Sequence, residues 1–404
     1  MIASTTPAVA VTGYGVVTPH GLGIDPLWSN LLKRQTCIAN DTGTGIIDQD
    51  ILEQLKYSLP KDDGESASCG REKSLLMALY AIQQSMLHAG WTSLNSDDGL
   101  IFATTTGYIA SWENELLGFL SGSRREDSFQ EAFRREPLGT MLADICNGLN
   151  FCGHNLLITT ACSSSAQAIA IASDWIRLGK VKRCLVGGCE TLSMLTSQGF
   201  DCFKLLTREL ARPFDKKRSG INLAEGAAFI CLENESTIVD RQRIQARILG
   251  GGIASDAYHM TAPHPEGLGI YNAMKIALND ASIDKSEIDF IHAHGTGSYH
   301  NDLSEGLAIQ RLFGEHSPPV YSTKPIHGHT LAACGVIESI ICIKTLTEQI
   351  LPTNIGLKDR DEKLKINLPL EHESVALKKP IKFILKSSLG FGGSNAAIVL
   401  GGIS

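Results

Sequence analysis

The residues best suited to chemistry in this sequence stand where apolar, β-prone runs stop. Leu156-Leu-Ile-Thr-Thr-Ala-Cys-Ser-Ser-Ser-Ala-Gln-Ala-Ile-Ala170 passes from a strand-like run through small residues into helical text reaching about Gly179. This predicts a strand, a tight turn bearing Cys162, and a helix starting at that thiol. The unpaired N–H groups and positive dipole end of such a helix would favour thiolate and lower the pKa of Cys162. A backbone N–H of the turn could serve an oxyanion. A buried cysteine that only packs would read the same way, so the other stretches decide.

Ile291-His-Ala-His-Gly-Thr-Gly-Ser298 delivers His294 from a strand end into a glycine-rich turn with two hydroxyls, Thr296 and Ser298. Asp302 and Glu305 then begin a helix, where the dipole favours acids. Ser322-Thr-Lys-Pro-Ile-His-Gly-His-Thr-Leu-Ala-Ala-Cys-Gly335 repeats the grammar. Lys324 precedes an irregular segment, His329 opens an Ala/Gly-rich helix, and Glu338 lies within buried-looking helix, where acid and lysine need each other. His327 is expected to point elsewhere. In Ser387-Ser-Leu-Gly-Phe-Gly-Gly-Ser-Asn395, glycines around Phe391 suggest backbone bent close to a ligand, with the ring able to swing. A thiol, two imidazoles and an ammonium fit acyl transfer from a thioester, with imidazole stabilising an enolate or polarising a carbonyl. Metal binding fits worse, because the histidines lack compact ligand spacing. A cysteine hydrolase could share the Cys/His pair, and it would release free acid.

The elements needed to position these groups follow from hydrophobic pattern. Strand-like runs at Ala8–Thr18, Leu100–Thr106, Arg183–Gly188, Ala227–Glu233, Asp289–Ala293 and Phe383–Ser388 alternate with helical spacing, as at Leu75, Leu76, Leu79, Ile82 and Met86. Apolar runs without strict alternation predict an α/β protein with largely parallel sheets covered on both faces. Gly226-Ala-Ala-Phe-Ile-Cys-Leu232 and Asn395-Ala-Ala-Ile-Val-Leu400 echo each other faintly, suggesting two copies of one unit split near residue 245. The charged text from Trp112 to Gly148 reads as an exposed cap.

With 404 residues, 43% hydrophobic and 20% charged, the chain has ample core for two domains or one doubled one. Lys+Arg 36 against Asp+Glu 43 gives −7, which does not suit nucleic acid. Eleven scattered cysteines without CxxC spacing suggest reduced thiols in a cytoplasm. No apolar run approaches the roughly 20 residues of a membrane span.

Thr160-Ala-Cys-Ser-Ser-Ser165, His294-Gly-Thr-Gly-Ser298, Lys324 through Gly328-His329, and Gly390-Phe-Gly-Gly393 together resemble the four signature blocks of β-ketoacyl-acyl-carrier-protein synthases. These are the elongating condensing enzymes of the thiolase superfamily. Arg212-Pro-Phe-Asp215, Ala224-Glu-Gly226 and Ser255-Asp-Ala-Tyr-His-Met-Thr261 extend the resemblance over essentially the whole chain. It implies a five-layered αβαβα thiolase-like fold of two duplicated halves, 1–245 carrying the nucleophile and 246–404 the His/Lys residues. It also implies that Cys162 takes the acyl chain as a thioester. His294 and His329 would drive malonyl decarboxylation, and Lys324 braced by Glu338 would hold the pair. The N–H groups of Cys162 and Phe391 would form the oxyanion hole, Phe391 would gate the cavity, and Thr296 and Ser298 would contact pantetheine. Thiolases carry a second cysteine where Phe391 stands, and chain-initiating synthases pair His with Asn.

No cofactor is implied, since substrates arrive on the phosphopantetheine arm of acyl carrier protein. The implied partners are that carrier and a second chain, either a copy or a chain-length-factor-like relative. A basic rim for the acidic carrier is expected among Arg71, Lys73, Arg124, Arg125, Lys204 and Arg208. A short Phe203–Asp215 loop, Ala224-Glu-Gly-Ala-Ala, and Cys334 in place of the family's usual alanine or glycine lean toward specialised type II polyketide or aryl-polyene synthases rather than housekeeping fatty-acid elongation.

Overall fold

The computed structural model of the chain describes residues 8–59, 73–134, 137–373 and 379–403. Its strands are β1 (Val9–Thr18), β2 (Gly21–Leu22), β3 (Gly99–Ala103), β4 (His154–Ile158), β5 (Arg183–Glu190), β6 (Gly226–Asn234), β7 (Ala246–Ser255), β8 (Phe290–His292), β9 (Val320–Tyr321), β10 (Phe383–Gly390) and β11 (Ser394–Gly401). Its helices are α1 (Ile24–Leu32), α2 (Gln49–Ser58), α3 (Lys73–Ala89), α4 (Ile109–Leu120), α5 (Glu126–Arg134), α6 (Leu138–Gly148), α7 (Ser164–Arg177), α8 (Met194–Cys202), α9 (Leu268–Ala281), α10 (Tyr299–Phe313), α11 (Lys324–His327) and α12 (Cys334–Glu348). Among the described residues no helix is long and apolar enough to cross a membrane.

The strands join in the order β4-β3-β5-β6-β1-β7-β11-β10-β8-β9, with β2 on β1. Read inward from either edge, the path has the same shape twice. Among the described residues the two halves of the sheet meet where Val9–Val11 pairs with Ala246–Ile248. The expected largely parallel sheet is corrected to a mixed one. β3 runs parallel to β4 and β5, and β8 parallel to β9 and β10, whereas β6 and β11 return antiparallel along β5 and β10. The reason is local for β11: a reversal as short as Phe391–Gly393 can only make a hairpin.

Alternation along the strands supplies both faces with apolar groups. Ala228, Ile230 and Leu232 of β6 join α7 and α12 in one core, while Ala227, Phe229 and Cys231 face α3. In β11, Ile398 and Leu400 face the same central helices, and Ala397 and Val399 face α9 and α10. Helices α7 and α12 thus form the middle of five layers, and α3 and α9 the outer ones. The expected exposed cap is α4–α6: α5 buries no residue, but α6 packs Met141, Leu142 and Ile145 into the core beside α3, which corrects the expectation there.

Two expectations about helix starts shift. α7 begins at Ser164, past Cys162, because Ala161 takes a left-handed φ of 50° and Ser163 serves as N-cap. α12 begins at Cys334 rather than at His329, after a 3-10 turn over Leu331–Ala333 in which Leu331 has φ 46°.

Candidate active site

Hydroxyls lock the turn that carries Cys162. Ser163 Oγ donates to the Thr160 carbonyl at 2.8 Å, Ser164 Oγ to the Ala161 carbonyl at 2.6 Å, and the Thr160 N–H donates to Ser164 Oγ at 2.8 Å. Two glycines bring the other half of the molecule against this turn. A Cβ on Gly390 would lie 2.7 Å from the Thr160 oxygen, and one on Gly335 would lie 2.6 Å from the Ala166 nitrogen. Cys334 adds a thiol that donates to the Cys162 carbonyl at 3.2 Å.

The His294 turn is held from below by two buried acids of α10. Glu305 accepts the N–H groups of His294 at 2.7 Å and Gly295 at 2.8 Å, and the Ser387 hydroxyl at 2.6 Å. Asp302 accepts from the N–H groups of Thr296 at 3.0 Å and Phe214 at 2.8 Å. Lys324 Nζ donates to the His294 carbonyl at 2.6 Å, lies 3.3 Å from His294 Nδ1, and is ion-paired with Glu338 Oε1. An ammonium on Nδ1 makes that nitrogen the acceptor, so in the neutral ring the proton sits on Nε2. The His294 and His329 rings are 5.1 Å apart at 84°. Cys162 Sγ and one ring nitrogen from each histidine all lie within 4.8 Å of one another.

Burial dominates the electrostatics. The expected lowered pKa of Cys162 is corrected: burial pushes the thiol up, and the opposing Lys324 charge is too weak to reverse it. Burial, then the Lys324 charge, hold both His294 and His329 well below the usual imidazole range. Glu338 stays well below the carboxylate range despite burial, because Lys324 and Lys386 both face it. The resting site is therefore a neutral thiol beside two neutral imidazoles.

Cys162, His294 and His329 are close enough to share a soft divalent ion, as are His294, Cys334 and Glu338. The first set has an ammonium on its central imidazole, and the carboxylate of the second is already engaged by lysines. Both arrangements oppose a second cation.

A cavity of about 190 Å³ opens onto Cys162, His294 and His329, with Thr296, Ser298 and Phe391 also on its wall. Phe391 stacks on Phe200 of α8 at 5.2 Å and 20°. Thr296 and Ser298 hydroxyls are 3.0 Å apart.

The described members of the expected basic rim are scattered. Arg71 lies outside the described residues. Lys73 is turned inward, its Nζ on Glu225 and the Ile47 carbonyl, with 27% of its side chain exposed; an engaged lysine is a poor rim contact, which corrects that expectation. Lys204 stands exposed between the cavity-wall residues Phe203 and Leu205, and Arg208 is exposed nearby in sequence. Arg124 and Arg125 are exposed in the α4–α5 connection, Arg124 facing Glu115 at 3.6 Å, and no residue of that connection lines the cavity.

Several site residues escaped the sequence reading. Lys386 on β10 is fully buried with Nζ 3.0 Å from Glu338 Oε2. Thr323 joins His292 at 3.0 Å to His327 at 2.9 Å, so His327 does point away from the cavity. Glu190 accepts the Thr104 and Thr106 hydroxyls at 3.0 and 2.7 Å. A charged residue at the end of an apolar run, as at Glu190, was the available signal.

Residues 6–237 match the model of the beta-ketoacyl synthase N-terminal domain, and 245–358 that of its C-terminal domain. The 3-oxoacyl-acyl-carrier-protein synthase 2 of Rhizobium meliloti (strain 1021) is 30% identical over 97% of this chain and 98% of its own. A polyketide beta-ketoacyl synthase 1 of Streptomyces cyaneus, itself named as putative, is 28% identical over 98% of each. Among solved structures, a chain of the complex of the ketosynthase ApeO with its chain length factor ApeC from Xenorhabdus doucetiae shares 27% identity and a TM-score of 0.84, covering 100% of both chains. Two domain models matched in chain order, over a fold in which both domains contribute to one cavity, place this chain in the β-ketoacyl synthase family of condensing acyltransferases.

Proposed function

We propose that the chain extends acyl groups by two carbons through decarboxylative condensation with malonyl carried on acyl carrier protein. The observation that carries this reading is the meeting of Cys162 Sγ with the two imidazoles on the wall of the cavity. Cys162 Sγ attacks the acyl-carrier thioester, the carbon–sulfur bond to pantetheine breaks, and the thiol proton leaves with the carrier. In the malonyl thioester the bond to the carboxylate breaks, CO2 departs, and the electron pair becomes an enolate whose oxygen accepts hydrogen bonds from His294 and His329. The enolate carbon attacks the acyl-Cys162 carbonyl, and the expelled thiolate takes a proton from solvent. Lys324, held by Glu338, sets the His294 tautomer. The N–H groups of Cys162 and Phe391 receive the oxyanion, Phe391 gates the cavity, and Thr296 and Ser298 hold pantetheine.

In this reading residues 1–245 supply the nucleophile and 246–404 the His/Lys groups, a division that the two family matches support. The partners are an acyl carrier protein and a second chain, a copy or a chain-length-factor-like one, in the cytoplasm, with no cofactor beyond the carrier's arm. Lys204 and Arg208 are the rim residues whose position supports carrier docking. The pathway reading is a specialised type II polyketide or aryl-polyene system. It is supported by the Cys334 thiol on the Cys162 carbonyl and by the likeness to a chain of a solved ketosynthase–chain length factor complex. Housekeeping fatty-acid elongation is the alternative, supported by the Rhizobium relative.

Intact-mass detection of acyl-Cys162, followed by malonyl-carrier-dependent extension, tests the chemistry; release of free acid alone would overturn it. Offering polyenoyl or aryl-acyl carriers against saturated medium-chain ones tests the pathway. Preference for the unsaturated set is expected, and equal use of the saturated set would sink the specialised reading.

A further inference from the structure

A lysine closed inside a strand needs a counter-charge, and its position shows which groups it was placed to influence. Lys386 is such a residue. It lies within β10, fully buried, with Nζ 3.0 Å from Glu338 Oε2 in an ion pair that is not aligned as a hydrogen bond, and with the Ser388 hydroxyl beside it. The other oxygen of Glu338 takes Lys324. One carboxylate therefore serves two ammonium groups, and it has no freedom to swing toward either.

We infer that Lys386 is a positioning residue of the condensing site, clamping Glu338 from the side opposite Lys324 and setting a second positive charge behind the His294–His329 pair. The inference rests on the assignment of those histidines to the enolate step. The groups that face the pair are Cys162 on its turn, His292 of β8, Glu305 of α10, Lys324 and His327 of α11, Cys334 and Glu338 of α12, and Lys386 of β10. Of this set Cys162 lines the cavity, and Lys386 stands behind the wall with Glu338 between it and Lys324. Its charge disfavours a proton on either imidazole, as the Lys324 charge does. A neutral His294 is the form in which Nδ1 can accept from Lys324 while Nε2 donates to an enolate.

The sign follows directly. Removing the Lys386 charge raises the pKa of both imidazoles, so the neutral form is lost at a higher pH and the acid limb of the rate profile moves up. The test compares the full chain with Lys386→Met, Lys386→Gln and Lys386→Arg, measuring malonyl-carrier-dependent condensation against pH. Acylation of Cys162, followed by intact mass at neutral pH, serves as a readout that does not need the enolate step. Lys386→Met and Lys386→Gln are expected to move the acid limb up by about one pH unit while acylation reaches the wild-type extent. Lys386→Arg should return the limb toward the wild-type position. An unshifted limb in a neutral variant that acylates normally would overturn the inference, and failure of both neutral variants to fold would overturn it in favour of a purely structural lysine. A wild-type enzyme that acylates Cys162 yet never extends it would instead overturn the assignment of the histidines.

Discussion

The two halves of the sheet place opposite chemistry at the same address. In one half β3 pairs Ile101 with Val186 of β5, and β6 pairs Ile230 with that valine. In the other, β8 pairs His292 with Lys386 of β10, and β11 pairs Ile398 with that lysine. The central helices start at Ser164 and Cys334, so Ala168 on α7 corresponds to Glu338 on α12. Ile101, Val186 and Ala168 are fully buried and join one apolar core. His292, Lys386 and Glu338 are as deeply buried but ionic or polar. The fold is thus satisfied by hydrocarbon at these positions, and desolvating an ion array there is a cost that folding does not require. What the charged copy adds is an environment for imidazoles, and the apolar copy provides a rigid back wall for the thiol.

The comparison breaks most completely at the turns before the two central helices. Ala161 and Leu331 occupy equivalent places, three residues ahead of α7 and α12, and both take left-handed φ, 50° and 46°. The residue that follows is Cys162 in one turn and the fully buried Ala332 in the other. Cys162→Ala is expected to abolish acyl-enzyme formation and condensation, read by intact mass and by product. Adding Ala332→Cys to that variant should restore nothing, because that side chain is sealed from the cavity. Restoration would mean that the turns are interchangeable and that the half-specific surroundings contribute little.

Glu338 gives the next largest effect. Glu338→Gln leaves two buried ammonium groups without their counter-charge, and loss of one partner of a buried ion array costs roughly 3–5 kcal/mol. Urea unfolding should show that loss together with strongly reduced condensation. Ala168→Ser on the apolar side should leave both nearly unchanged. Equal damage from the two would show that helix packing, not charge, explains the site.

Much of this arrangement was legible beforehand. Cys162, His294, His329, Lys324 and Glu338 stood at strand ends or in helical text with the spacing of a known family, and the structure brings them together. Lys386 was not legible, since a lysine in Phe383–Gly390 reads as an exposed strand position until its partner on α12 is known. The raised pKa of Cys162 was missed because a helix-dipole argument ignores burial, and here the thiol also lies outside the first helical turn. Lys73 read as rim charge because nothing local reveals Glu225. The sheet was expected to be largely parallel because apolar runs carry no strand direction. Helix α8, which brings Phe200 onto Phe391, lacks a strong apolar stripe and escaped for that reason.

Each half also buries a carboxylate beneath the loop that follows its inner strand, the C-terminal half adding Asp302 as a second, and this sharpens the comparison through pH. Glu190 holds Thr104 and Thr106 after β3, and Glu305 holds His294 and Gly295 after β8. Burial pushes both carboxyls up to about 7 from 4.5. The folded state therefore keeps a proton that the unfolded state gives up at lower pH, so stability is greatest below about pH 4.5 for these groups and falls until about pH 7. The difference of 2.5 units, 7 minus 4.5, amounts to about 3 kcal/mol for each group. The buried histidines, with lowered pKa values, act in the opposite sense up to about pH 6.5. The readout is therefore the difference between two proteins: Glu190→Gln should lose less stability than the wild type, in urea midpoints, as pH rises from 5 to 8. If Glu190→Gln left the slope unchanged, the N-terminal carboxylate would not titrate in that range.

The smallest expected effect lies in the strained turn itself. Left-handed backbone costs an alanine roughly 1–2 kcal/mol, and Ala161→Gly removes that cost. Glycine gives back about 0.5–1 kcal/mol through the freedom it adds to the unfolded chain. Stability should therefore change by no more than about 1 kcal/mol, measurable as a small shift in Tm. Leu331→Gly at the equivalent place would also delete a buried side chain, 3% exposed beside Cys162 and Cys334, so it cannot isolate the strain. Ala161 can, since the hydroxyls of Ser163 and Ser164 still hold the turn from the other side. A near-neutral Tm with condensation slowed several-fold would mean that alanine is there to limit where Cys162 can point. A near-neutral Tm with unchanged rate would mean that the serine bonds alone aim the thiol, and that the matching strain in the two halves is a consequence of their shared topology.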